Sequence, residues 1–196
     1  MSKSVYRMRM NPIYRSYSYD QAECDTQALV NREFPARKER ISIQDWWQPV
    51  NCFACNPGKK CGDFFGAGQI GRFGVSDRVF NDPVARGLLE QTGELLPLEV
   101  PEENRRIYFY RPVKHGERAD ILDEAKSVIK NYFDMKLVFH SERLPAGGCF
   151  CLPHEINVFA VHDPALPAER DFFQWYQKMG YTGLDFELMW TEDPQS

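Results

Sequence analysis

The strongest constraint on the fold is an internal echo. Ile70-Gly71-Arg72-Phe73-Gly74-Val75-Ser76-Asp77 returns as Ile156-Asn157-Val158-Phe159-Ala160-Val161-His162-Asp163, with Ile, Phe, Val and Asp at matching places. Phe and Val stand two apart, the period of a strand that buries one face. A helical stretch and then a glycine come after each copy. In the first, Asp82 is placed to cap a helix with Pro83 in its first turn, and Val84, Leu88 and Leu89 supply an apolar side. Gly93 then fits a left-handed helix exit. In the second, Phe172, Trp175, Tyr176 and Met179 fall at i, i+3, i+4 and i+7, and Gly180 ends the stripe. Each unit closes on an apolar stretch, Gly93 to Leu98 and Gly183 to Leu188. The latter alternates with acids, as a half-exposed strand does. The pattern predicts an α+β protein, with two related strand–helix–strand units and additional antiparallel strands.

On this reading residues 1–65 hold N-terminal strands and a cysteine-bearing irregular excursion. Residues 66–196 form the α+β body, with the repeat at 66–100 and 153–192, and the whole chain of 196 residues makes one compact domain. The tyrosine-rich stretch from Tyr6 to Tyr19, Ile107 to Tyr110 and Lys136 to His140 read as further strands. Residues 44–69, with two tryptophans, three cysteines, two prolines and four glycines, read as irregular. Asp120 to Phe133 is expected to be helical, with Leu122, Ala125, Val128, Ile129 and Phe133 on one side.

A net charge of −4 argues against a nucleic-acid partner held by bulk electrostatics. No apolar run reaches the roughly 18 to 20 residues that span a bilayer, and the N-terminal stretch lacks the apolar core of a secretory signal. A cytoplasmic, soluble protein with no membrane partner is expected. Charge is uneven: residues 1–65 carry ten basic against seven acidic side chains, and residues 153–196 two basic against eight acidic. That acidic quarter reads as a solvated surface or as a complement to a basic partner.

Several motifs invite chemistry. Gly66-Ala67-Gly68-Gln69-Ile70-Gly71 spells the dinucleotide fingerprint G-x-G-x-x-G. Cys61 to Phe65 before it does not read as a buried parallel strand, and Arg72 to Ser76 after it alternates like a strand instead of opening a helix. A turn feeding the first repeat strand is the plainer reading. Six cysteines stand at 24, 52, 55, 61, 149 and 151. Cys52 and Cys55 form a C-x2-C knuckle, and Cys149 with Cys151 offers a second pair to complete a tetrahedral zinc site. Reduced cysteines packed in a core are the alternative. Redox use of the knuckle wants a helix after it, which Asn56-Pro57-Gly58 opposes. His115, His140, His154 and His162 are scattered, and no arrangement of acid, base and nucleophile is visible. The reading from another class is a small cytosolic enzyme using the Gly66–Gly71 loop or the cysteines, or else a zinc-stabilised adaptor domain.

Taken together, Val75-Ser76-Asp77-Arg78, Gly93 to Leu98, Ile107 to Tyr110, Asp120-Ile121-Leu122-Asp123 with Ser127, and Thr182 to Trp190 carry a resemblance. The chain resembles the Imm11-type immunity proteins of bacterial polymorphic toxin systems over about residues 65–192. Their pattern includes V-S-(D/E)-R, D-x-L-D-x-x-x-S and T-G-L-x-F-x-L-x-W. This chain departs from it at His162 and in the cysteine-bearing excursion. The resemblance implies a cytoplasmic protein that binds one cognate toxin and blocks it by occlusion, with no catalytic residue and no cofactor. Related paralogues carry paired cysteine knuckles, so the resemblance also leaves zinc at Cys52, Cys55, Cys149 and Cys151 open. Trp46, Trp47 and Phe53 are candidate anchors for the toxin, and Asp185 and Glu187 candidate charge partners. Packing of these aromatics over the repeat core is the plainer reading. The sequence leaves the oligomeric state open.

Overall fold

The computed structural model describes residues 2–19, 39, 41–67, 73–113, 119–131, 134–152 and 157–192. It corrects the expected α+β class. The described chain is mostly β, built from a closed six-stranded barrel, a four-stranded antiparallel sheet and a short two-stranded ribbon. The strands in chain order are β1 (Ser4–Met10), β2 (Ser16–Tyr19), β3 (Val50–Ala54), β4 (Phe64–Ala67), β5 (Phe73–Val75), β6 (Gly93–Val100) and β7 (Arg105–Pro112). They continue with β8 (Val128–Ile129), β9 (Met135–Lys136), β10 (Cys149–Cys151), β11 (Val158–His162) and β12 (Leu184–Thr191). The α-helices are short: α1 (Asp77–Phe80), α2 (Pro83–Glu90) and α3 (Phe172–Met179).

The barrel runs β2-β3-β6-β7-β5-β4 and closes through the parallel pairing of β4 with β2. The sheet runs β10-β11-β1-β12, so the first strand of the chain lies between two of the last. Each half of the sequence echo thus lies in a different sheet. β5 and β6 flank β7 in the barrel, whereas β11 and β12 flank β1 in the sheet. Strand spacing is readable locally, but closure of the barrel depends on pairings between distant segments that periodicity does not encode.

Alternation along the strands sorts the apolar side chains into three cores. The barrel interior holds Tyr17, Val50, Cys52, Phe65, Leu96, Leu98, Ile107 and Phe109 among others. Between barrel, sheet and helices lie Phe64, Phe73, Tyr108, Tyr110, Cys149, Cys151, Phe172 and Tyr176. The far face of the sheet packs Val5, Phe150, Phe159 and Val161 against Ile121, Leu137, Phe139 and Leu144. Consecutive residues of one strand therefore serve different cores. Phe64 and Phe65 are both fully buried, one outside the barrel wall and one inside it. This is why Ile107 to Tyr110 is apolar without a break: this part of β7 has no wet face.

Other local expectations meet mixed outcomes. Asp82 caps α2, accepting from the N–H groups of Val84 (2.9 Å) and Ala85 (3.3 Å). Gly180 ends α3 at φ 60°. Gly93 does not end α2. It opens β6, where a Cβ would run into the Tyr110 ring and the Arg111 carbonyl. The helix expected over Asp120 to Phe133 is absent from its described residues, 120–131, which form a short 3-10 turn, a turn after Asp123 and β8. Lys136 to His140 yields only the end of β9 and one isolated bridge from Leu122 to Phe139. Residues 44–69, expected to be irregular, contain β3 and β4. Trp46 and Trp47 lie in a turn closed by their N–H groups on the Ile43 carbonyl (3.1 and 2.9 Å). Among the described residues no helix is long and apolar enough to cross a membrane.

Candidate partner-binding surface

Two of the motifs that carry the resemblance meet at the joint between barrel and sheet. Asp63, just before β4, accepts hydrogen bonds from the Thr182 N–H and hydroxyl (both 3.0 Å) and from Arg78 Nη1 (3.1 Å). The Ser76 hydroxyl lies 3.5 Å from the same carboxylate, and Arg78 also donates to the Met179 carbonyl (2.6 Å) while covering the Tyr181 ring. Gly183 comes next at φ 104°, with its Cα against the Phe64 carbonyl where a Cβ has no room. The V-S-D-R and T-G-L stretches are thus two sides of one staple. The third motif is also internal. The Ser127 hydroxyl accepts from Val138 N–H (2.9 Å), and Asp123 N–H donates to the Val138 carbonyl (2.9 Å).

A second staple joins the helices. Asp82 accepts from Trp175 Nε1 (2.7 Å) and from the Tyr181 hydroxyl (2.6 Å) besides capping α2. Burial pushes its carboxyl pKa up, but the donors Tyr181, Trp175, Val84 and Ala85 together hold it below the ordinary 3.8.

The cysteine quartet is not assembled. Cys52 lies inside the barrel, Cys149 and Cys151 lie in the core between barrel and sheet, and Cys55 is exposed at the end of β3. The C-x-C spacing in β10 turns both thiols to one face, with Phe150 between them on the other. Burial, helped by Glu103, Glu99 and Cys55, pushes the Cys52 thiol up to about 12, and burial raises Cys149 well above its ordinary value. Such thiols stay protonated near neutral pH and are poor nucleophiles. Among the described residues, no group of three or more His, Cys, Asp or Glu is placed to hold a metal ion. Of the G-x-G-x-x-G stretch, Gly66 and Ala67 belong to β4, and residues 68–71 lie outside the described residues. The segment before it, expected not to form a parallel strand, supplies Phe64 and Phe65 to β4, which runs parallel to β2.

Among the described residues, His162 and Asp171 form an imidazole–carboxylate couple. His162 Nδ1 lies 3.1 Å from the buried Asp171, which also caps α3 through Gln174 N–H (2.9 Å) and accepts from Asp163 N–H (2.7 Å). Ser4 stands across the strand pair from His162, but its hydroxyl bonds Thr191. The couple therefore fixes the start of α3.

The proposed anchors divide between the two sheets. Trp46 and Trp47 are half-buried over the barrel core, and Trp47 Nε1 donates to the Pro97 carbonyl (3.0 Å). Phe53, on β3, is 40% exposed. Asp185 and Glu187 lie on β12. Asn11 donates to Asp185 (2.9 Å), and Glu187 is gripped by Arg7 Nε (2.8 Å) and Arg9 Nε (2.7 Å). The structure adds exposed apolar side chains that the sequence did not mark. Leu188 of β12 is 56% exposed, and Val128 and Ile129 on β8 are each 49% exposed. Met135 of β9 and Met189 and Trp190 of β12 pack together on the core of the far sheet face. For β12 the signal lies in the alternation of the closing stretch, which marks a half-exposed strand. Val128 and Ile129 give no such signal, because their spacing equally suits a buried helix face. No family model matches the sequence, and comparison with curated proteins finds no match. The resemblance to Imm11-type proteins rests on the short motifs alone.

Proposed function

We propose that this chain is an immunity-type protein that binds a cognate protein toxin and neutralises it by covering it, without chemistry of its own. The observation that supports this most is the placement of the shared motifs. Ser76, Arg78, Thr182, Gly183, Asp123 and Ser127 all serve internal staples. A motif set of that kind specifies a scaffold, and leaves the outer surface free to differ from one partner to the next. Exposed apolar side chains stand on both faces of the sheet, Leu188 of β12 on the side of α3 and Val128 and Ile129 of β8 in the ribbon at the far face. Each is the sort of feature that a partner with an interface of about 1,200–2,000 Å² would bury.

The test is co-expression with the toxic domain encoded beside this chain's gene. Restored growth and a stable complex in size-exclusion chromatography are expected. Neither rescue nor complex would end the proposal.

A further inference from the structure

β12 is the outer strand of its sheet, and its two edges differ. Asn11 N–H donates to the Gly183 carbonyl and Glu192 N–H to the Lys3 carbonyl, both at 2.9 Å, so these groups face β1. Leu184 faces away. Its N–H donates to the Tyr176 hydroxyl (3.0 Å), and that hydroxyl lies 3.3 Å from its carbonyl. The side-chain hydroxyl thus does for Leu184 what a neighbouring strand would do. Within an antiparallel strand the N–H and C=O of one residue share an edge, and successive residues alternate between edges. Phe186 and Leu188 therefore turn both groups toward an edge that no other described strand occupies.

Proteins blunt such edges because they template further pairing. Here Tyr176 stops only the first rung, and the extra residue Met189 interrupts the register with β1 at the far end. Between them the strand has an acidic face, Asp185 and Glu187, and an apolar face, Leu184, Phe186 and Leu188. A second copy pairing antiparallel about a two-fold axis is opposed by charge. Every register that pairs a run of this stretch sets Asp185 or Glu187 against Asp185 or Glu187 of the copy, and like charges directly opposite destabilise. The strand that β12 already accepts shows what suits it. β1 sets Arg7 opposite Glu187 and Arg9 opposite Asp185, with apolar Met8 opposite Phe186.

We infer that the open edge of β12 captures an extended segment of the partner protein as a fifth strand of the sheet, basic at alternate positions and apolar between them. Backbone pairing at Phe186 and Leu188 supplies the binding; Asp185, partnered by the neutral Asn11 amide, chiefly supplies the choice of sequence, with Glu187 adding to it beyond its contacts with Arg7 and Arg9. This names the partner contact for the proposed occlusion, and it rests on that reading.

The probe is a synthetic peptide with the sequence of Ser4 to Met10, Ser-Val-Tyr-Arg-Met-Arg-Met. Its control carries glutamate in place of both arginines. Amide hydrogen exchange of the full chain is followed with each. The basic peptide is expected to slow exchange at Phe186 and Leu188 while β1 amides stay as they were, and the acidic one to leave all of them unchanged. Leu188→Pro deletes an N–H that β1 does not use, and should abolish the protection. Asp185→Lys keeps every N–H and should weaken it. The inference is overturned if the basic peptide gives no protection, if both peptides protect alike, if β1 amides open on binding, or if β12 is already protected in a solution dimer. Co-expression separates the two readings. Leu188→Pro rescuing growth as well as the unaltered chain overturns the edge assignment alone, whereas an unaltered chain that fails to rescue overturns the immunity function.

Discussion

At the scale of single residues, Gly183 and Gly180 look alike in sequence and are not alike in the fold. Both have left-handed backbone, at φ 104° and φ 60°. Gly180 has open space around it, whereas a Cβ on Gly183 would overlap the Phe64 carbonyl. Gly180→Ala should therefore cost only the left-handed strain, about 1 kcal/mol. Gly183→Ala should cost more than about 2 kcal/mol, because strain and overlap add at the point where β12 meets β4. Urea unfolding checks both: the midpoint should fall much further for Gly183→Ala, with slopes unchanged. Sequence pattern makes Gly180 legible as a helix end. It assigns the same role to Gly93, where close approach of Tyr110 is the real demand, because a glycine needed for space and one needed for φ leave the same letter.

At the scale of elements, the least legible feature is a buried ion pair. Arg111 of β7 is fully buried and donates through Nη1 to Glu94 of β6 (2.8 Å) and to the Ile41 carbonyl (2.5 Å). Glu94 in turn accepts from the Ser42 hydroxyl (2.7 Å) and from Ile43 N–H (3.2 Å). The pair thus ties residues 41–43 to the barrel and seats Ile43 in its interior. Glu94→Ala should cost about 3–5 kcal/mol, since it strands a buried guanidinium. Glu94→Leu combined with Arg111→Met should lie much nearer the unaltered chain in thermal melts, because no lone charge remains. Nothing in the local sequence separates Glu94 from the outward-facing acids of the closing stretch in the second unit, Asp185 and Glu187. Periodicity is what can be read: α3 from its stripe, α2 from its cap, the strands around the echoed segments. Which sheet each strand joins cannot be read, and hence neither can a barrel with a sheet in place of paired α+β units. The helix expected after Asp120 fails for a local reason, since the Ser127 hydroxyl engages the Val138 backbone and holds the segment in a turn.

For the whole molecule, the buried ionisable groups set a pH window. Burial pushes Cys52 and Tyr176 up to about 12 in the folded state, whereas unfolded cysteine and tyrosine ionise at 9.0 and 10.0. Above about pH 9 the unfolded chain sheds protons that the folded chain keeps, so stability falls as pH rises toward 12. Asp82 works at the other end. Its folded pKa lies below 3.8, so its contribution is present above that value and is lost as pH falls through the lower one. Denaturant midpoints measured across pH should plateau between about 5 and 8 and decline on both sides. Asp82→Asn should make the acid limb shallower, and because burial and the Asp82 carboxylate together push the Tyr181 hydroxyl up, it should also soften the alkaline limb. A last consequence concerns synthesis. β1 lies at the centre of its sheet, and Lys3 bonds Glu192 across a separation of 189 positions. On the ribosome, that strand emerges before its sheet partners and is enclosed only when β12 follows. A message cut short before β12 would release a polypeptide with a bare sheet interior, fit for chaperones and proteases, so only chains translated through β12 can take up their post.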